Sequence, residues 1–385
     1  MIQNLDFFQP ARSRFDISID DRIATAIDGG ADVEFNLSGG KDSGAAAHAV
    51  SLWLDSIGHS RDCRRAIHAD LGRTEWRSTP AQVQRTADFL GVELTVVRRG
   101  AGDLLARWQQ RFNNAKLRYA DMRLYHMLGP WSSPSLKFCQ SEMKAQQMGP
   151  VVARAHRGRT VIQVVGIRRD ESNNRKNAPI SEEDTRYAKA GNRHGTRVIL
   201  WNPICDWSAE EVFAFHEAEG IPLSEVYTLW QLSRHSCAFC IMQNWSDQEK
   251  AARAPDNHPL LLAQVGMEAE SAYSFQAGKW LADVAPDLLT DELRSGVDLA
   301  KEWAAERKLI EGRMPARHRY VDGWPLHQPD AAEARDIAVA RCRILDWYGI
   351  DSPYRDGPSI EARFAELLIE AASRKAAKEM RGRAA

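Results

Sequence analysis

Short apolar runs alternate along the first two thirds of the chain with stretches whose apolar positions recur every three or four residues. Val33 to Leu37 is the first run and predicts a buried strand. Behind it, Ala45, Ala46, Ala47, Ala49, Val50, Leu52 and Trp53 predict a helix with one closely packed face. A second strand is expected over Arg65 to Ala69, ending in Asp70-Leu71-Gly72. Thr79 then reads as an N-cap, Pro80 as the first helical position and Gly91 as the stop. Leu94 to Val97 predicts a third strand, and Leu104, Leu105, Trp108 and Phe112 mark a helix face. The β-branched run Val161 to Val165 predicts a central strand, and Val198 to Leu200 another. Ser208 with Glu211 forms a capping box, and Gly220 closes that helix. A short helix is expected around Asp20 to Ala26. Strands alternating with helices imply a doubly wound α/β fold, with helices on both faces of a parallel sheet. From about Trp245 the pattern is helical, broken near Pro255, Pro286 and Gly323-Trp324-Pro325. The expected organisation is a lead-in over 1–30, an α/β domain over 31–244 and a helical C-terminal domain over 245–385. No internal repeat is visible.

In open parallel sheets, ligands sit beyond the carboxyl ends of the strands. That rule gathers Ser38 to Ser43, Asp70 and Gly166 to Arg169 on one rim. Ser38-Gly39-Gly40-Lys41-Asp42-Ser43 lies between the first strand and its helix. Such a turn aims backbone N–H groups and a positive helix end at an anion. Lys41 adds a point charge, and Ser38 and Ser43 add hydroxyls. The common P-loop would need four residues between its first glycine and Gly-Lys, and Ser or Thr after the Lys; here Asp42 follows Lys41. The hexapeptide instead resembles the pyrophosphate loop of the N-type ATP pyrophosphatases. That resemblance implies an adenine nucleotide alpha hydrolase-like fold. It also implies ATP with its β- and γ-phosphates in the loop, Mg²⁺ bridging phosphates, and attack on the α-phosphorus. The products would be an adenylated acceptor and pyrophosphate. A plain glycine turn is the bland reading, and it leaves the rest of the hexapeptide unexplained.

Gly166-Ile167-Arg168-Arg169-Asp170-Glu171-Ser172-Asn173-Asn174-Arg175 leaves the fourth strand with three arginines. Guanidinium groups match phosphate oxygens with paired donors, although a solvated loop would be charged too. The segment resembles the phosphoadenosine phosphosulfate reductase branch of the superfamily, over roughly Asp32 to Met242. The resemblance makes Lys41, Asp42 and Arg168 the candidate catalytic residues. It places Ser38, Gly39, Gly40, Lys41, Asp42, Ser43, Asp70, Gly166, Arg168 and Arg175 at the nucleotide. For Asp70, local Asp-Gly turn chemistry is a competing explanation.

The chain has six cysteines. Cys237-Ala238-Phe239-Cys240 is a C-x-x-C, whose spacing lets both thiolates face one metal. Iron–sulfur members of this branch pair such a motif with upstream cysteines in a Cys-x-x-x-x-Lys segment, matched here by Cys139 and Lys144. The resemblance implies a 4Fe–4S cluster on Cys139, Cys237 and Cys240. Some relatives have adjacent upstream cysteines, whereas Gln140 follows Cys139 here. The fourth iron would be held by Cys205 or stay open to sulfide. A structural zinc site, with His235 as a further donor, and a redox dithiol are the other readings of the trio. Cys63 and Cys342 have no sequence partners and read as buried free thiols.

Composition narrows the picture further. The 385 residues carry 51 Lys and Arg against 52 Asp and Glu, a net charge of −1, so any basic site must be local. No run of about 18 apolar residues exists to span a membrane, and the start M-I-Q-N-L-D-F-F does not read as a signal peptide. Sparse cysteines fit a reducing, cytoplasmic setting. Sulfonucleotide reductases of the branch carry a nucleophilic cysteine in a C-terminal Glu-Cys-Gly segment, and none occurs in this sequence. That absence counts against a reductase, and in its loop and cluster cysteines the chain most resembles the ATP pyrophosphatase component of DNA phosphorothioation systems. That resemblance implies a nucleic-acid acceptor, DNA ahead of tRNA, and a cysteine desulfurase as sulfur donor. A sulfonucleotide reductase is one alternative, and a non-enzymatic regulator that binds nucleotide and cluster is another. Trp201, Trp207, Trp230 and Trp245 flank the cysteine region and read as core, with base stacking the sharper use. The basic end R-K-A-A-K-E-M-R-G-R-A-A reads as a solvated helix end, with nucleic-acid contact as the sharper use.

Overall fold

The computed structural model describes residues 15–383. Residues 1–14 of the lead-in, including M-I-Q-N-L-D-F-F, and the last two residues of the basic end lie outside the described residues. The elements run α1 (Asp21–Asp28), β1 (Asp32–Asn36), α2 (Lys41–Ser56), β2 (Arg64–Asp70), α3 (Thr79–Leu90), β3 (Glu93–Arg98) and α4 (Leu104–Ala120). Then come α5 (Phe138–Gln140), α6 (Gln146–Ala155), β4 (Thr160–Val164), β5 (Ser181–Glu183), β6 (Arg197–Trp201), α7 (Ala209–Glu219) and α8 (Glu225–Thr228). The last are α9 (Trp245–Arg253), α10 (His258–Ser271), α11 (Asp291–Arg313), α12 (Ala331–Trp347) and α13 (Gly357–Arg383).

The six strands form one sheet in the order β3-β2-β1-β4-β6-β5. All neighbours are parallel except β5, which runs antiparallel on β6. Phe35 sits opposite Ala66 on one side and Val164 on the other. Alternation along the strands feeds two cores. Val33, Phe35, Ile162, Val164, Ile199 and Trp201 pack with α2, α3 and α7. Ile67, Ala69, Val97, Val161 and Val198 pack with Met148 and Val152 of α6. The buried alanines 45, 46 and 47 let α2 lie close on the sheet. From β1 the chain winds outward through β2 and β3, then returns to build β4 and β6 on the other side. The reversal puts the crevice of the sheet between the carboxyl ends of β1 and β4.

Caps explain several boundaries. Asp20 accepts from Ile23 N to start α1, and the Ser208–Glu211 box starts α7. Gly91 and Gly220 end α3 and α7 in the left-handed conformation. Ser78, not Thr79, is the N-cap of α3, so Pro80 falls in the second helical position.

The chain divides into two compact units. The first comprises Met1–Leu104 with Ser133–Leu260, and the second Leu105–Ser132 with Leu261–Ala385. In the second unit Phe112, Ala115 and Tyr119 of α4 pack with Ala272, Ala300, Trp303, Ile344 and Leu345. Trp303 stacks on Trp347 at 4.4 Å between ring centres. Glu268, fully buried, accepts from the amides of Phe275 (2.7 Å), Leu281 (2.8 Å) and Ala282 (3.0 Å). Burial pushes its carboxyl pKa up to about 7 against the pull of those amides. No helix among the described residues is long and apolar enough to cross a membrane.

Candidate active site

Ser38 to Ser43 follows β1 and Gly166 to Arg175 follows β4, so both segments lie at the carboxyl ends of these neighbouring parallel strands. Gly39 has φ of 79°, a conformation that favours glycine, and its α-carbon faces the His235 ring. Gly40 then caps α2. Ser43 Oγ donates to Gly40 O (2.9 Å), accepts from Ser38 N (3.2 Å) and meets Ser38 Oγ at 3.0 Å. These bonds fix the turn, and the helix end behind it makes an anion-binding concavity.

Lys41 is buried. Its Nζ bonds Asp42 Oδ2 at 2.9 Å and lies over the rings of Phe213 and Tyr227. Its backbone N–H donates to the Tyr227 hydroxyl (3.1 Å), and its carbonyl lies 2.7 Å from His216 Nε2. Asp42 Oδ1 accepts from Arg168 Nε at 2.6 Å. One carboxylate thus holds both candidate catalytic cations. Arg168 also reaches Asp170 (2.5 Å) and the Trp207 carbonyl (3.4 Å). A Cβ on Gly166 would come within 2.4 Å of Asp42 backbone atoms, so only glycine lets β4 approach the loop. Arg175 pairs with Glu171, and desolvation, then Arg234, pull its pKa down.

Asp70 is tied up locally. It accepts from Gly72 N (2.6 Å) and pairs with Arg98 (2.6 Å), as turn chemistry would have it. It also lines a pocket of about 440 Å³ with His68, Pro80, Val83 and Leu94.

The cysteine segment abuts the loop. His235 N donates to the same Tyr227 hydroxyl (3.0 Å), and His235 Nε2 lies 3.0 Å from Thr79 Oγ1. Burial drives the imidazole pKa down to about 4, so this ring is neutral at physiological pH. Burial pushes the Cys237 and Cys240 thiols up, and Cys139 acts on both in the same direction. Lys144 lowers both, and Arg234 lowers Cys240. Cys139, Cys237 and Cys240 therefore share one electrostatic neighbourhood. Yet among the described residues no three His, Cys, Asp or Glu side chains converge closely enough to hold a metal ion. A cluster on the three cysteines would need them drawn closer together than this arrangement has them. Cys205 is buried elsewhere, beside Ser18 and Asp206. Cys342 lies on α12, its thiol on the Arg355 carbonyl (3.1 Å). Of the four tryptophans, Trp201 and Trp207 are buried, and their indole N–H groups donate to the carbonyls of Ser18 and Asp16.

The sequence pattern does not mark Tyr227, Phe213 or His216, each of which positions Lys41 from a distant helix.

A glycine loop at the sheet's switch point, with a buried lysine and an arginine on one aspartate, defines a nucleotide-binding α/β protein. The family described as phosphoadenosine phosphosulfate reductase domain matches residues 33–230, just over half of the chain. The chain belongs to that family, with its adenine nucleotide alpha hydrolase-like fold and its use of nucleotide in sulfur chemistry. No curated protein matches the chain.

Proposed function

We propose that the chain is an ATP pyrophosphatase that adenylates an acceptor as the activating step of sulfur transfer. The observation that carries the reading is the intact Ser38–Ser43 loop with Lys41 and Arg168 locked on Asp42 at the crevice. ATP would place its terminal phosphates on the loop amides and Lys41, with Mg²⁺ supplying charge neutralisation between phosphates. An acceptor oxygen attacks the α-phosphorus. The new O–P bond forms as the bond to the bridging oxygen breaks, and pyrophosphate leaves with the electron pair. Lys41 and Arg168 stabilise the charge that develops. A sulfur nucleophile then displaces AMP. The acceptor we favour is nucleic acid, DNA ahead of tRNA, with a cysteine desulfurase as donor, as in DNA phosphorothioation.

Lys41→Ala tests this. Pyrophosphate release should fall at least about 100-fold, the scale of losing one transition-state donor. Full activity would remove the proposal.

The family description favours a second reading, reduction of a sulfonucleotide. Adenylyl sulfate with a thiol reductant, which supplies the two electrons, would then release sulfite. Sulfite without pyrophosphate release from ATP would replace the first reading with the second. A chain that binds ATP and releases neither product would be a regulator. The cluster proposed for Cys139, Cys237 and Cys240 is tested separately. About four irons per anaerobically purified chain, lost in Cys237→Ala, supports it; about one zinc per chain rejects it.

A further inference from the structure

A second concentration of cations sits at the other rim of the sheet. α6 ends just before β4 begins, and the 185–196 loop ends where β6 begins. Both therefore lie at the amino ends of parallel strands, while Ser38–Ser43 and Gly166 follow the carboxyl ends. A five-residue strand such as β4 separates the two rims by about 16 Å at ~3.3 Å per residue.

There Arg157 Nη2 lies 3.3 Å from His194 Nδ1, and Arg193 Nε lies 3.2 Å from His194 Nε2. A neutral imidazole offers a single acceptor nitrogen, so it cannot satisfy both guanidinium donors. Besides desolvation, the groups acting on this ring are Arg193, Arg157 and Arg154, all positive. Neighbouring cations are answered: Arg159 by Asp32, Arg186 by Asp184 and Arg197 by Glu183. Among the described residues, Arg154, Arg157, Lys189 and Arg193 have no carboxylate partner.

The fold holds these like charges together. Asn192 Oδ1 accepts from His194 N (3.0 Å), Asn192 Nδ2 donates to Thr196 O (2.8 Å), and Thr196 Oγ1 donates to Ala153 O (2.6 Å). A groove of about 620 Å³ runs past Ala145, Pro150 and Ala153 to Lys189, Arg193 and His194.

The occupant follows from what the surface lacks. Between Leu136 and Phe213 no large hydrophobic side chain is exposed, so the patch has no apolar anchor of the kind that protein interfaces use. Tyr187, the aromatic residue of the groove, is half-buried with its hydroxyl on Met148 Sδ, so it offers no stacking platform for an unpaired base. Forked donors without stacking rings suit phosphates of a paired backbone. We infer that this groove and the arginines beside it dock the sugar-phosphate backbone of a double-stranded nucleic acid, with Lys189 and Arg193 in the groove and Arg154 and Arg157 acting on His194 at its edge. The inference stands apart from the α-phosphate chemistry at the opposite rim.

The test is fluorescence anisotropy of the full chain with labelled duplex DNA and duplex RNA of one sequence, without ATP, across salt. The parent should bind, and the fourfold variant Arg154→Ala, Arg157→Ala, Lys189→Ala, Arg193→Ala should bind at least about tenfold more weakly. Its slope of log affinity against log salt on duplex DNA should flatten by about 3.6, as loss of some four phosphate contacts requires. An unchanged circular dichroism spectrum and melting temperature would show that the variant folds. Tighter binding of DNA or of RNA names the source of the duplex. Equal affinity of parent and variant, preference for single strands, or displacement by polyglutamate at equal charge would each overturn the inference. The readout omits ATP, so failure here leaves the Lys41→Ala result standing, and the reverse holds.

Discussion

The Tyr227 hydroxyl accepts from the backbone of Lys41 in the nucleotide loop and of His235 beside the cysteine pair. One oxygen thus fixes two segments that the proposed chemistry needs in register. Tyr227→Phe would leave both buried donors without an acceptor, at a cost of about 1–3 kcal/mol for each. We expect a loss of about 2–6 kcal/mol in denaturant unfolding and a raised KM for ATP. Unchanged unfolding and KM would make the phenol a bystander. This role was not legible in the sequence, because Tyr227 lies 186 residues from Lys41 and reads as one more buried aromatic. Ser38 to Ser43 was legible because a phosphate loop is built from contiguous residues. Gly166 was legible as a motif letter, but its reason appears only when Asp42 is found against it.

Among the elements, β4 and β6 are largely apolar and mostly buried, and β1, β2, β3, β4 and β6 fall within a residue or two of their expected spans. β5 was invisible. Ser181-Glu182-Glu183 has no apolar pattern, since an antiparallel edge strand needs only one neighbour and tolerates exposed charge. The apolar face of α4 was legible, but its partner was not, because periodicity says that a face is buried and not against what. The end of α10 holds a testable titration. Burial raises the Glu268 pKa from 4.5 to about 7, so between those values the folded chain keeps a proton that the unfolded chain has released. This contribution to stability is complete below about pH 4.5 and is lost as pH rises toward 7, to the extent of about 3 kcal/mol. Glu268→Gln should flatten the melting temperature across that window. A pH dependence identical to the parent's would show that the proton sits elsewhere.

At the scale of the whole molecule, the chain is not two consecutive domains. Leu105–Ser132 belongs to the helical unit, although the nucleotide unit resumes after it. Truncation after Leu260 would keep every residue of the nucleotide unit but strip α4 of Trp303, Ile344 and Leu345. Phe112 and Tyr119, now fully buried, would face water, so the 1–260 fragment should aggregate and bind a hydrophobic dye. A monodisperse, dye-silent fragment would mean that α4 does not depend on the C-terminal helices. The expected organisation treated the helical part as an appendage beginning near residue 245. Sequence periodicity carries no sign of a segment that joins a core completed so much later.

That interleaving also has a consequence for synthesis. The ribosome releases α4 early, between two halves of a sheet that can close as soon as β6 and α9 emerge. The helices that α4 needs follow only with the last third of the message. At 5–20 residues per second, the wait is on the order of tens of seconds. During it the nascent chain presents a greasy amphipathic helix beside a nearly finished sheet, an obvious client for a holdase.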